Sequence, residues 1–117
     1  MHRSPASELT ETFGALADPT RRAILARLAR GEASVGDLAR PFSISLPAVS
    51  RHLRVLEQAR LIERRVDAQR RMCRLRAQPL RVAQGWIERY RGFWEERLED
   101  LAAFLESPPP TSKRRKR

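Results

Sequence analysis

A mainly helical domain carrying one β-hairpin is the fold class that this 117-residue chain predicts. Apolar residues recur at helical spacing in five segments, most of them opened by a capping serine or aspartate or by a proline. Between the fourth and fifth lies a short two-strand pattern with a polar tip. The length suits a single domain with a modest core.

Residues 1–7, with Pro5 and two serines, are expected to be loose and flexible. Leu9, Phe13 and Leu16 then recur at i, i+4 and i+7, a short amphipathic helix. Asp18 and Pro19 suit the N-cap and first position of a second helix, 19–29, with Ile24, Leu25 and Leu28 inward. Gly31 ends it. Ser34 caps a third helix, 35–40, which Pro41 stops. Phe42 and Ile44 anchor the following turn. Ser45 caps a fourth helix, 46–59, with Pro47 tolerated in its first turn. Val49, Leu53 and Leu56 form its apolar stripe, and Pro47, Ser50, Arg51, Arg54 and Gln58 fall mainly opposite.

Strands are expected at 62–66 and 72–76, around a tip at 67–70. The tip has no glycine, which predicts a loop longer than two residues. Pro79 precedes one long helix, 80–105, whose apolar positions alternate by three and four, close to a heptad seam. Most of the aromatic residues lie on it. That is more apolar surface than a small core can cover, so a partner helix is expected. Ser107 and the prolines at 108–110 break the helix, and 107–117 is expected to be a disordered basic tail. The folded domain is thus 8–106.

The formal net charge is +10, of which five charges sit in the tail 113–117, so the folded part is basic as well. Such a surface attracts polyanions. A single cysteine, Cys73, excludes an intramolecular disulfide framework and favours a reducing compartment. The N-terminus lacks the apolar run of a signal peptide, and no window reaches a membrane span, so a cytoplasmic protein with no membrane partner is expected. No phosphate-cradling glycine loop, nucleophile–histidine pair or catalytic carboxylate pair is evident, so the chain does not read as an enzyme.

The helix 46–59 is held by its apolar stripe while offering arginines and small polar groups outward, the form of a helix that lies in a DNA major groove. Three segments make the match specific: Phe13 to Leu25 (FGALADPTRRAIL), Leu46 to Leu56 (LPAVSRHLRVL) and Ala59 to Ile62 (ARLI). With them the chain, over about residues 9–105, resembles the ArsR/SmtB family of transcriptional repressors. The resemblance implies a winged helix-turn-helix: mainly α with a β-hairpin wing, paired as a homodimer through its N- and C-terminal helices on a palindromic operator. Arg60 departs from the family, which usually has glycine there, a position that favours left-handed backbone.

On this reading double-stranded DNA is the partner. Arg51 and Arg54 are the first candidates for base or phosphate contacts, since arginine grips guanine bidentately. Ser45, Pro47, Ala48, Ser50 and His52 complete the reading helix, His52 as the resemblance implies. Arg70 and Arg71 at the wing tip are candidates for phosphate. Leu9, Phe13, Leu16, Trp86, Tyr90, Phe93, Trp94, Leu98 and Leu101 are the candidate dimer interface. Metal-sensing relatives often carry Cys-Val-Cys in the third-helix region; here Ser34 and Gly36 stand at those positions, neither able to supply a thiolate. This places the chain with the subgroup lacking the metal-binding cysteines, with no metal or other cofactor expected and an unidentified small-molecule or protein effector left open. Glu95, Glu96, Glu99 and Asp100 read as a solvated helix face. Cys73 reads as a small buried hydrophobe, with oxidative crosslinking as the weaker alternative. A non-sequence-specific structural nucleic-acid-binding protein is the other function the residues allow, and a protein-interaction module is a third.

Overall fold

The computed structural model describes residues 4–106. The basic tail, and the first three residues of the segment expected to be loose, lie outside that range. The elements in order are α1 (Pro5–Leu16), α2 (Pro19–Leu28), β1 (Ala33–Ser34), α3 (Val35–Ala39), α4 (Leu46–Gln58), β2 (Ile62–Asp67), β3 (Arg70–Leu75), α5 (Gln78–Glu88) and α6 (Arg91–Glu106). They form two compact units, one running to Gln84 and the other starting at Gly85.

In the first unit the helix starts follow local capping chemistry. Asp18 Oδ2 accepts the Arg21 backbone N–H at 3.0 Å, Ser34 Oγ that of Asp37 at 3.1 Å, and Ser45 Oγ that of Ala48 at 3.2 Å. Residues 5–7, expected to be loose, are helical. Ser4 is a cap too, accepting the Ser7 N–H at 3.1 Å, and Pro5 occupies the first helical position. The core gathers Ile24, Leu25 and Leu28 of α2, Leu38 of α3, Val49, Leu53 and Leu56 of α4, and Leu61, Ile62 and Cys73 of the sheet region. Burying each large aliphatic side chain contributes about 1.5–3 kcal/mol. Phe42 packs against this core as expected, whereas Ile44 is exposed.

The sheet is antiparallel, in the order β1-β3-β2. Sequence periodicity misses β1, because two residues carry no pattern; Ala33 pairs with Cys73 and Ser34 with Met72. The hairpin also departs from expectation. Asp67 pairs with Arg70, so the loop is only Ala68-Gln69, and Ala68 takes φ 59° in place of the expected glycine. A positive φ at the first central residue is what a mirror-image hairpin turn requires.

The end of α4 is a Schellman motif. The Leu61 N–H donates to the Leu56 carbonyl and the Arg60 N–H to the Glu57 carbonyl, both at 2.9 Å. Arg60 has φ 62°, so it adopts the left-handed conformation that its family departure pointed to. A side chain there costs about 1–2 kcal/mol relative to glycine, offset in part by glycine's greater unfolded-state entropy. Arg60→Gly is therefore expected to raise stability by ~1 kcal/mol and the melting temperature by a few degrees, read by thermal denaturation. A lower melting temperature would show that the arginine makes a contact worth more than the strain.

The second unit holds the end of α5 and all of α6. The single helix expected over 80–105 is interrupted at Arg89 and Tyr90. There the ladder tightens: the Arg89 N–H donates to the Trp86 carbonyl at 3.2 Å and the Tyr90 N–H to the Ile87 carbonyl at 2.9 Å. Gly85 and Gly92 flank this turn and weaken the helix on both sides. Arg91 restarts it. No α6 residue is buried, and Trp94, Leu98, Leu101 and Leu105 form an exposed stripe at spacings of four, three and four. The Trp86 and Tyr90 rings meet at a tilt of 56° with centroids 5.1 Å apart, and the Arg97 guanidinium sits 4.3 Å from the Phe93 ring.

Candidate nucleic-acid interface

The predicted reading face is the outer side of α4. Val49, Leu53 and Leu56 are fully buried beneath it, so the helix cannot roll without breaking the core. Pro47, Arg51 and Arg54 are exposed, and Ala48 and Ser50 half-buried. The Ser45 hydroxyl is held by its cap bond but keeps its proton for donation.

His52 is turned toward the scaffold. Its Nδ1 lies 3.3 Å from Arg21 Nη1 and 3.8 Å from Asp18 Oδ2. Arg21 also donates from Nε to the Ala15 carbonyl at 2.8 Å and from Nη2 to the Gly14 carbonyl at 3.1 Å. It thus ties the C-terminal carbonyls of α1 to the reading helix. The Arg21 backbone N–H holds the Asp18 carboxyl below its ordinary pKa, with His52 and Arg21 adding smaller attractions. Asp18-Pro19-Thr20-Arg21 therefore does more than start α2. The sequence shows the cap but not the arginine brace, which depends on where α4 comes to lie.

The wing arginines divide into two groups. Arg64 Nε sits 3.3 Å from Glu57 Oε1; Arg65 pairs with Glu32, and Arg74 with Glu63. Arg70 at the tip lies 4.0 Å from Asp37 Oδ2, while Arg40 donates to the other carboxylate oxygen, Asp37 Oδ1, at 3.1 Å. Among the described residues, Arg51, Arg54 and Arg71 have no carboxylate within ion-pair distance. Arg70 and Arg71 share a shallow notch of about 400 Å³ with Ser34, Gly36 and Leu46, so the wing tip stands beside the start of α4.

Of the predicted interface residues in α1, Leu9 and Phe13 are partly exposed, while Leu16 packs against the core of its own chain. Trp86, Tyr90, Phe93, Trp94, Leu98 and Leu101 are all exposed. Ser34 and Gly36 belong to the start of α3, where the Ser34 hydroxyl is occupied in capping. No helix among the described residues is long and apolar enough to cross a membrane.

Cys73 is fully buried in the central strand. Burial pushes its thiol pKa up, only partly opposed by Arg64. Thiolate chemistry is therefore suppressed. Native protein is expected to stay unreactive toward Ellman's reagent and to form no crosslinked dimer with peroxide on non-reducing gels, reacting only after denaturation. A crosslink in native protein would restore the oxidative reading.

A helix-turn-helix domain family model matches residues 16–65. The chain is 42% identical over 106 residues to the HTH-type transcriptional regulator Rv2034 of Mycobacterium tuberculosis, covering 91% of this chain and 92% of the relative. Its fold is similar to the crystal structure of the ArsR family transcriptional regulator RHA00566, with TM-score 0.71, 38% identity, and coverage of 81% and 97% of the two chains. It is also similar to the solution structure of a homodimeric winged helix-turn-helix DNA-binding domain, Mb0332 of Mycobacterium bovis, with TM-score 0.59, 27% identity, and coverage of 81% and 85%. Across nearly its whole length, then, the chain belongs to the ArsR/SmtB family of helix-turn-helix transcriptional regulators.

Proposed function

We propose that this chain is a sequence-specific transcriptional repressor that binds a palindromic operator as a homodimer. The observation that carries this reading is the division of charge on one surface. Arg51 and Arg54 project unpaired from a helix whose other face is locked in the core, while most wing arginines are neutralised within the protein. Free arginines on a rigid helix suit base reading, and the wing tip beside them suits the flanking phosphates. His52 serves this surface from behind, by holding α4 against Arg21. A dimer sets two such helices about 34–36 Å apart, one turn of DNA, and its occupancy of the site excludes other proteins. The exposed stripe of α6 and the aromatic residues before it supply the pairing surface, with Leu9 and Phe13 of α1. No cofactor enters this reading.

Selection of bound duplexes from a random pool tests it. A palindromic product, bound at least ~10³-fold more tightly than random duplex at the same salt, is expected. Enrichment of no sequence, with strong binding to all duplexes, would favour a structural nucleic-acid-binding protein. Absence of binding even at low salt would favour a protein-interaction module.

A further inference from the structure

A second charged site lies away from the reading face, where the end of α4 meets the exit of the wing. Arg60 and Arg76 line one cavity of about 210 Å³ with Glu8 and Gln78. The Arg76 N–H donates to the Leu61 carbonyl at 2.8 Å, which closes the strand exit against the end of the helix and brings both arginines, each exposed, to the rim of this cavity. Neither guanidinium has a carboxylate within ion-pair distance among the described residues, although the Arg76 charge reaches Glu63, whose carboxyl it helps hold below the ordinary pKa behind the stronger pull of Arg74. With Glu8 as the acidic residue of the lining, the wall carries one net positive charge. Leu9, Pro79 and Val82 make the rest of it apolar. The buried Thr12 hydroxyl is already satisfied, donating to the Glu8 carbonyl at 3.0 Å.

Arg60 is the telling residue. It holds a left-handed φ of 62° at a position where glycine folds with less strain. Strained non-glycine residues cluster where a side chain has a task, ligand clamps included. Two arginines lining one cavity with an apolar wall are the elements that recognise a carboxylate on a hydrocarbon body. A cavity of about 210 Å³, open on one side, suits a small molecule and not a macromolecule.

We infer that the cavity between Arg60 and Arg76 is a binding site for a small organic monocarboxylate. The site touches both the end of the reading helix and α1, whose Leu9 belongs to the proposed pairing surface. Any influence on operator binding rests on the function proposed above; binding of the carboxylate does not.

Benzoate serves as the probe, titrated calorimetrically into the full chain without DNA, so the outcome is independent of operator recognition. Saturable binding at one benzoate per chain is expected, with a midpoint of about 1 mM or tighter. Benzamide, which keeps the ring and loses the charge, is expected to bind at least about tenfold more weakly, as is benzoate to Arg60→Gly and to Arg76→Gln. Arg60→Gly is the decisive variant, because the end of α4 accepts glycine readily and its thermal unfolding reports separately that the fold is kept. Absence of saturable benzoate binding, equal binding of benzamide, or undiminished binding by a folded Arg60→Gly variant would each overturn the inference.

Discussion

If the chain pairs as proposed, Leu98→Glu is expected to convert the dimer to monomers and to lower operator affinity by about 10²–10⁴-fold. Leu98 is 62% exposed in the middle of the α6 stripe, with Trp94 and Leu101 exposed on either side. In a two-fold interface each substitution occurs twice, so the loss of apolar burial doubles. A glutamate in the seam adds the larger cost of desolvating an unpaired carboxylate. The helix itself tolerates glutamate, and no α6 residue contributes to a buried core, so each chain should stay folded. Circular dichroism checks the fold, sedimentation the mass, and gel shift the operator. The affinity falls because a palindrome is held by two reading heads joined as one body. A Leu98→Glu protein that remains dimeric and binds normally would move the pairing surface elsewhere.

Arg51→Ala is expected to weaken operator binding by about 1–3 kcal/mol, roughly 5- to 150-fold, while binding to random duplex changes much less. Arg51 is exposed and makes no ion pair or side-chain hydrogen bond among the described residues, so the melting temperature should hold when it is removed. The loss should concentrate on one base pair of each half-site and vanish when that pair is changed. Equal losses on operator and random duplex would assign Arg51 to phosphate. His52→Ala gives the contrast, since its ring faces Arg21 and Asp18; its first effect should be a lower melting temperature.

Much of this architecture is legible in the sequence because its punctuation is local. Asp18, Ser34 and Ser45 cap the helices they precede, and the stripe Val49, Leu53, Leu56 identifies the buried side of α4 before any coordinates. What escapes is either too short or too distant in sequence. A two-residue β1 has no period, and the hairpin turn closes on Ala68 in a conformation usually reserved for glycine. The break at Arg89–Tyr90 has no proline to announce it, only glycines at a distance. The candidate site divides likewise. Arg51 and Arg54 can be read from helix geometry, but the pairs Glu32–Arg65, Asp37–Arg70 and Arg21–His52 join residues about thirty or more apart. No pattern of spacing marks such pairs; tertiary packing brings them together.

Asp37, 4.0 Å from Arg70 and 3.1 Å from Arg40, is an anion already in place beside the wing tip. A basic surface in water carries a loose atmosphere of small anions, and DNA sheds condensed cations when such a surface arrives; that release of ions is the entropic engine of most DNA binding. Here part of the atmosphere is covalently built in. If a phosphate takes Arg70 from Asp37, as the proposed function has it, the displaced anion is a side chain that stays in the complex and is not diluted into bulk. The wing should therefore draw less on ion release than its number of arginines implies. On the function proposed above, its grip on the backbone is expected to be an exchange of partners, and correspondingly less sensitive to the ionic strength around it.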